Sequence, residues 1–418
     1  MSTPTVPAAA GAIASRLGRR PRLPFILLAV AGGLIALAAV RVLTGADDLT
    51  SNGAVRAAIE SAVPIGLAGL GGLFSERAGV VNIGLEGQMI LGTWFGAFAG
   101  VHWGPWAGVA AAVIGGALGG LLHALATVTF GVDHIVSGVA ITILATGAAR
   151  YLSSLTFATM SGGGVNQSPP VGDLPRIGVP GLDALGGLER RHWFLISDVT
   201  GILRGALTDV SALTVIAVAI VPLSFWLLWR TPFGLRLRSV GENPHAAESL
   251  GVGVYCYKYY GVVISGALAG LGGGFLSIVA ASIYREGQTN GRGFIGLAAM
   301  IFGNWRPGGL AVGAMLFGYT DALQLRRGSE SVHALLLLVS IGLAAVAIGQ
   351  AVRRRYRPAA IAFGLTVLSL VWFFTTSTVP VPFVQFAPHL TTLIVLALAS
   401  QRLRMPAADG VPYQRGSG

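Results

Sequence analysis

Few side chains in this 418-residue chain are able to do chemistry, and the first to consider sit where apolar runs begin. Glu86 follows Asn82 and Gly84 at the start of such a run, with Gln88 just beyond. A carboxylate in hydrocarbon costs roughly 3 kcal/mol or more, so it turns toward a cavity or a partner. A second interruption, Glu286 to Phe294, carries Asn290 and repeats as Glu286-Gly287-Gln288 the tripeptide Glu86-Gly87-Gln88. Broken helices with glycine at the break aim free N–H groups at a polar solute near the bilayer midplane. The segments Val80 to Gln88 and Glu286 to Phe294 are therefore suitable partners, one in each half of the chain. Asn82, Gln88, Asn290 and Asn304 offer amides for hydrogen bonding, and Trp94 and Phe294 offer ring faces. The competing role for each amide is joining helices, worth about 0.6 kcal/mol on average in a membrane bundle; for each aromatic it is filling space. Glu60 and Asp133 read as ion-pair members, with Arg56, one helical turn earlier, as a partner for Glu60.

Covalent catalysis and metal chemistry find no such support, and no catalytic or metal-ligating residue is expected. A phosphate-binding P-loop needs Gly-Lys-Ser or Gly-Lys-Thr, whereas the only lysine, Lys258, follows Cys256-Tyr257. ATP hydrolysis must then reside on another polypeptide. The seven histidines show no HExxH or zinc spacing, and His102, His123 and His134 read as packing or interfacial residues. The single cysteine, Cys256, excludes an internal disulfide and reads as an inert buried thiol.

The elements that must position these groups are membrane helices. Hydrophobic residues make up 53% of the chain and charged ones 11%, against about 25% charged in a soluble domain. The net charge of +11 would suit nucleic acid, but the arginines fall in short groups between apolar runs, where the positive-inside rule puts them. Lipid, not nucleic acid, is the expected surrounding. Arg16, Arg19, Arg20 and Arg22 lead straight into Pro24 to Leu43, which reads as an uncleaved first helix with a cytosolic N-terminus. Further spans are expected at Val55 to Phe74, Glu86 to Val101, Pro105 to Phe130, Ile135 to Tyr151, Leu207 to Trp229, Tyr259 to Ile283, Gly308 to Leu323, Ala334 to Ala351, Ala359 to Phe374 and Phe386 to Ser400. Phe294 to Phe302 is too short to span comfortably alone. Counting it as a crossing gives about twelve spans and puts Arg230, Arg236, Arg238, Arg306, Arg353 to Arg355, Arg402 and Arg404 in the cytosol with both termini. Arg41, Arg150, Arg326 and Arg327 then fall on the wrong side. Glycine patterns such as Gly115, Gly116, Gly119 and Gly120, or Gly266, Gly270, Gly273 and Gly274, predict close helix packing.

The loop from Arg230 to Lys258 holds a short helix with both ends marked. Asn243 suits the N-cap, Pro244 the first helical position, and Gly251 the left-handed stop. Pro244 to Leu250 is two turns at most, too short to be stable in water unless something packs on it.

The run FGLRLRSVGENPHAAESLGV resembles the coupling segment of ABC importer permeases of the branched-chain amino acid, ribose and nucleoside type. FSERAGVVNIGLEGQMILG, EGQTNGRGFIGLAAMIFGNWRPGG and the tail from Ala387 to Tyr413 are similar to the nucleoside and simple-sugar branch of that family. The resemblance implies that the coupling helix docks on a cytosolic ABC ATPase subunit, through Gly241, Glu242, Asn243, Pro244, Ala246, Ala247 and Gly251. It implies a second, related permease chain and an extracytosolic substrate-binding protein as further partners, with ATP and magnesium held by the ATPase and no cofactor here. If a nucleoside passes, Asn82, Glu86, Gln88, Trp94, Asn290, Phe294 and Asn304 are the candidate path. Between Arg326 and Pro382 the chain departs from the pattern by two extra spans.

The expected fold is an all-α polytopic bundle of about 10–12 spans, some broken. It divides into a basic N-terminus (1–23), a first half (24–152), an extracytosolic segment (153–206), a second half (207–325) with the coupling loop 230–258, an extra helix pair (326–382), and a last helix with its tail (383–418). The expected function is that of an import permease for nucleosides or simple sugars in a bacterial cytoplasmic membrane. Two other classes compete: a self-sufficient secondary transporter driven by protons through Glu86, Glu60 or Asp133, and an integral-membrane enzyme, for which no polar catalytic cluster is found.

Overall fold

In hydrocarbon every backbone N–H and C=O must be satisfied within its own segment, so the apolar runs become helices close to where hydropathy puts them. A computed structural model describes residues 23–325, 328–380, 383–384 and 403–414. Its principal helices are α1 (Leu23–Thr44), α2 (Asn52–Arg77), α3 (Leu85–Trp103), α4 (Pro105–Ala124), α5 (His134–Thr156), α6 (Ile196–Leu207), α7 (Ala212–Arg230), α8 (Pro232–Glu242), α9 (Pro244–Ser249), α10 (Val254–Phe275), α11 (Arg292–Phe302), α12 (Pro307–Leu325), α13 (Gly328–Val352) and α14 (Tyr356–Thr375). Helices α4 and α10 each end in a π turn, Leu125–Thr129 and Leu276–Ala280. Among the described residues seven helices are long and apolar enough to cross a membrane. The extra pair is present as α13 packed on α14; the expected span Phe386 to Ser400 and the basic N-terminus lie outside the described residues.

Each end of the bundle is defined by what meets there. At one end the polar segment after α5 folds back, with strand β1 (Arg176–Ile177) pairing antiparallel with β2 (Val210–Ser211). The same segment meets the chain after α10, since Ser168 N–H donates to the Tyr284 carbonyl and Glu286 N–H to that of Asn166. The other end carries α8, α9, the α11–α12 turn and residues 403–414. Helix α11 spans only about 16 Å at 1.5 Å per residue. With the loop before it, however, it returns the chain from the first end to the second, the parity that counting it as a crossing requires. Two arginines that break the basic-residue pattern are matched by acids at the first end: Arg41 Nε lies 2.7 Å from Asp198, and Arg150 3.9 Å from Glu286. Arg56 pairs with Asp209 at 2.7 Å and makes no ion pair with Glu60.

Packing at the centre is backbone against backbone. A Cβ on Gly116 would lie 2.2 Å from the Gly266 carbonyl oxygen, one on Gly270 2.3 Å from that of Ala112, and one on Gly92 2.1 Å from that of Gly270. Helices α3, α4 and α10 therefore approach as no other residue type allows. One expectation fails here. Cys256 is exposed rather than buried, because it lies in the first turn of α10 with its side chain away from the bundle.

Candidate functional site: a polar cavity between two broken segments

The first turn of a helix leaves N–H groups without intrahelical acceptors. At α11 the N-cap is Gly291, held at φ +76° with no side chain to offer. Glu86, in the first turn of α3, supplies the acceptors: Gly291 N–H donates to Oε1 at 2.9 Å and Gly293 N–H to Oε2 at 2.7 Å. The carboxylate is only 5% exposed, and a negative charge at a helix N-terminus is favourable. Gly293 makes the approach possible, since a Cβ there would sit 2.7 Å from the Glu86 backbone. The two interruptions predicted to be partners thus meet, with Glu86 as the joint.

Beside this joint lies a cavity of about 270 Å³, walled by α3 (Glu86, Thr93), α5 (Thr142, Thr146) and the loop Tyr284 to Asn290. The threonine hydroxyls donate to the carbonyls of Ile90, Gly138 and Thr142, which leaves their oxygens as acceptors. Gln288 uses its Oε1 to accept from Arg285 N–H, and its Nε2 is buried without a partner among the described residues. Donors from Gln288 and Asn290 therefore face acceptors from α3 and α5, a lining suited to a small polyhydroxylated solute.

Of the residues named from sequence, Glu86 and Asn290 reach this cavity. Asn82 and Gln88 do not: fully buried, they bond to each other (Asn82 Nδ2 to Gln88 Oε1, 2.9 Å), and Asn82 Nδ2 also donates to Ser265 Oγ at 2.8 Å. They lock the α2–α3 connection onto α10. Trp94 stacks on Phe98 at 5.1 Å and donates its indole N–H to Ser153 at 3.1 Å, within the core. Phe294 is 46% exposed and outside the cavity lining. Asn304 lies at the far end of α11, where its Oδ1 accepts from Arg404 N–H at 2.7 Å. Sequence reasoning missed Thr93, Thr142, Thr146 and Gln288. Thr142 and Thr146, four apart on one face of an apolar helix, were a readable signal.

The coupling residues divide between two faces of α9. Asn243 Oδ1 accepts from Ala246 N–H at 3.0 Å and Gly251 has φ +79°, so both caps form as read. Gly241, Pro244 and Ala247 are buried; a Cβ on Gly241 would lie 2.3 Å from the Arg77 carbonyl oxygen. Glu242 faces Arg77 at 3.6 Å, while Asn243 and Ala246 are exposed beside His245, Ser249 and Leu250, the last 85% exposed. Asp133 caps α5 by accepting from Ile135 and Val136. His123 bonds Ser137 and the Val81 carbonyl, and His134 accepts from Val81 N–H. Among the described residues no group of three His, Cys, Asp or Glu could hold a metal.

Residues 53–343 match the family described as branched-chain amino acid transport system / permease component. The chain belongs to this permease family. It is 34% identical over 375 residues to the guanosine ABC transporter permease protein NupQ of Bacillus subtilis, covering 87% of this chain and 96% of that one. The nucleoside ABC transporter permease protein NupC of Lactococcus lactis is 33% identical, with 84% and 93% covered. A putative glucose ABC transporter permease protein, TsgC13 of Haloferax volcanii, is 35% identical, with 67% and 79% covered. No solved structure matches this permease. It is a multi-pass membrane protein, and the cavity beside Glu86 lies inside its bundle.

Proposed function

We propose that this permease imports nucleosides, with simple sugars as the second class of cargo, as one subunit of an ATP-binding cassette importer in a bacterial cytoplasmic membrane. The observation that carries the reading is the polar cavity joined by Glu86, which sets donors of Gln288 and Asn290 against the threonine acceptors of α3 and α5. Ribose hydroxyls suit the threonine acceptors, and Gln288 and Asn290 suit a base edge or ring oxygen. Both relatives of high coverage are named for nucleosides or guanosine, and the third for glucose. A cytosolic ATPase docks on the exposed face of α9, an extracytosolic binding protein delivers cargo at the opposite end, and a second, related permease completes the path. The N- and C-termini then lie in the cytosol. Transport consists of stabilising inward- and outward-open states differently, not of covalent chemistry. Uptake of labelled guanosine, and of glucose as comparison, by cells with and without this chain tests the reading. Equal uptake in the two strains, or uptake that survives inactivation of the ATPase, would overturn it.

A further inference from the structure

Residues 403–414 lie as a strap, with a turn at 407–410, across the end of the bundle that carries α9. Arg404 N–H donates to Asn304 in the α11–α12 turn, Ala407 N–H to Glu242 at 3.3 Å, and Ala408 N–H to the Gly241 carbonyl at 2.9 Å. Tyr413, 8% exposed, packs on Val240, Ala247 and Val254, its ring 5.2 Å from that of His245 and 5.4 Å from that of Tyr255. Asp409 is buried beside Glu76 and Lys258, at the ends of α2 and α10. A six-residue helix has no stability of its own in water, so the inner face of α9 depends on this tail.

The outer face of the strap is the informative part. Met405 is 56% exposed and Val411 52%, at the same end as Leu250 at 85%. Single exposed apolar residues are ordinary by themselves, but the strap is bonded to α8 and packed on α9, so its outer surface borders that of α9 and a partner seated on α9 meets it as well. That partner is not the bilayer, because the strap covers the ends of α2 and α10, the two spans most deeply buried in the bundle. Lipid borders α13 and α14 instead, the spans least buried in it.

We infer that the strap is a second element of the ATPase-docking surface: it holds α9 from within and presents Met405 and Val411 to the same ATPase subunit. The inference rests on the importer reading above and adds a contact which that reading does not need. The test uses the full chain, tagged, extracted from membranes with its ATPase, and reconstituted for ATP-dependent guanosine uptake. Three samples are compared: wild type, L250E as the benchmark for α9, and the double variant M405E/V411E, whose changed side chains are both at the surface. The double variant should retain at least tenfold less ATP hydrolysis activity on the tagged chain, with membrane level and thermal stability as in wild type. Retention as in wild type, while L250E loses it, would overturn the strap contact and leave the importer reading standing. A lowered membrane level in M405E/V411E would make the strap a lipid-facing segment and overturn the contact too. Absence of any ATPase on the wild-type chain would defeat the importer reading itself.

Discussion

A single carboxylate, Glu86, satisfies two backbone donors that α11 has no residue of its own to satisfy. Glu86→Ala leaves the buried Gly293 N–H and the part-buried Gly291 N–H without acceptors, the former costing about 1–3 kcal/mol and the latter less. Glu86→Gln keeps one strong acceptor, and its cost is roughly half. Thermal unfolding in detergent should order the three proteins wild type, Gln, Ala; equal stability of the alanine variant would remove the capping role. The chemistry at Gln288 differs, because its unpartnered Nε2 contributes nothing to the empty protein. Gln288→Ala should cost only the turn bond from Arg285 N–H, about 0.5–1.5 kcal/mol, and raise the KM for uptake roughly tenfold, the effect of losing one hydrogen bond to cargo. An unaltered KM would take Gln288 out of the cargo site. The sequence made Glu86 conspicuous as a charge at the edge of an apolar run, but whether it met cargo or backbone depended on where α11 begins. Nothing within 200 residues of Glu86 encodes that. Asn82 and Gln88 illustrate the same limit, since two amides six apart could face a cavity or each other, and the hydrogen bond from Asn82 to Ser265 shows which.

Elements impose a stricter geometry than single residues. Where α4 crosses α10, an added methyl at Gly116 meets a carbonyl oxygen of the partner helix, which cannot yield without moving that helix. Gly116→Ala should cost about 1–3 kcal/mol as overpacking does, whereas Gly147→Ala, with nothing within 4 Å, should be close to neutral. Comparing the two by thermal unfolding separates packing from composition, and equal effects would contradict the close crossing. Helix α9 divides in the same manner. Ala246 is exposed and Ala247 is enclosed by Val240, Val254 and Tyr413. Ala246→Phe should therefore leave the protein inserted and stable while lowering ATP-driven uptake; Ala247→Phe should loosen the strap as well. Undiminished uptake by the Ala246 variant would end the docking role of that face. Both caps of α9 were readable because Asn243, Pro244 and Gly251 act locally. Which of its faces is covered was not, because the covering residue, Tyr413, is more than 160 positions away.

For the whole molecule, the parity of the crossings was legible from arginine positions, and the strap and α9 do share one end. The helix pair α13 and α14 was expected, but not the residues through which it packs, because between membrane helices no hydrophobic force selects a neighbour. One pH dependence belongs to this scale, since the strap closes on a carboxyl. Burial first, and then the neighbouring Glu76, push Asp409 up from 3.8 to about 9, against the smaller opposing effect of Lys258. A raised carboxyl pKa means the folded strap holds a proton that the detached tail releases. Its attachment is therefore strongest below the ordinary carboxylate range and weakens as pH rises from about 4 to about 9. Proteolytic release of the tail should increase across that interval in wild type and much less in Asp409→Asn; identical profiles would refute proton uptake at Asp409 as the cause.

Helix α11 gives these pieces a mechanical sense. About 16 Å long, it is gripped at its lower end, where Asn304 takes the strap and Trp305 meets Glu76 and Arg77, and at its upper end by Glu86 at the cavity wall. A helix this short neither bends nor telescopes, so it behaves as a push-rod. Any displacement of its strap end is therefore borne at the other end by the two Glu86 bonds.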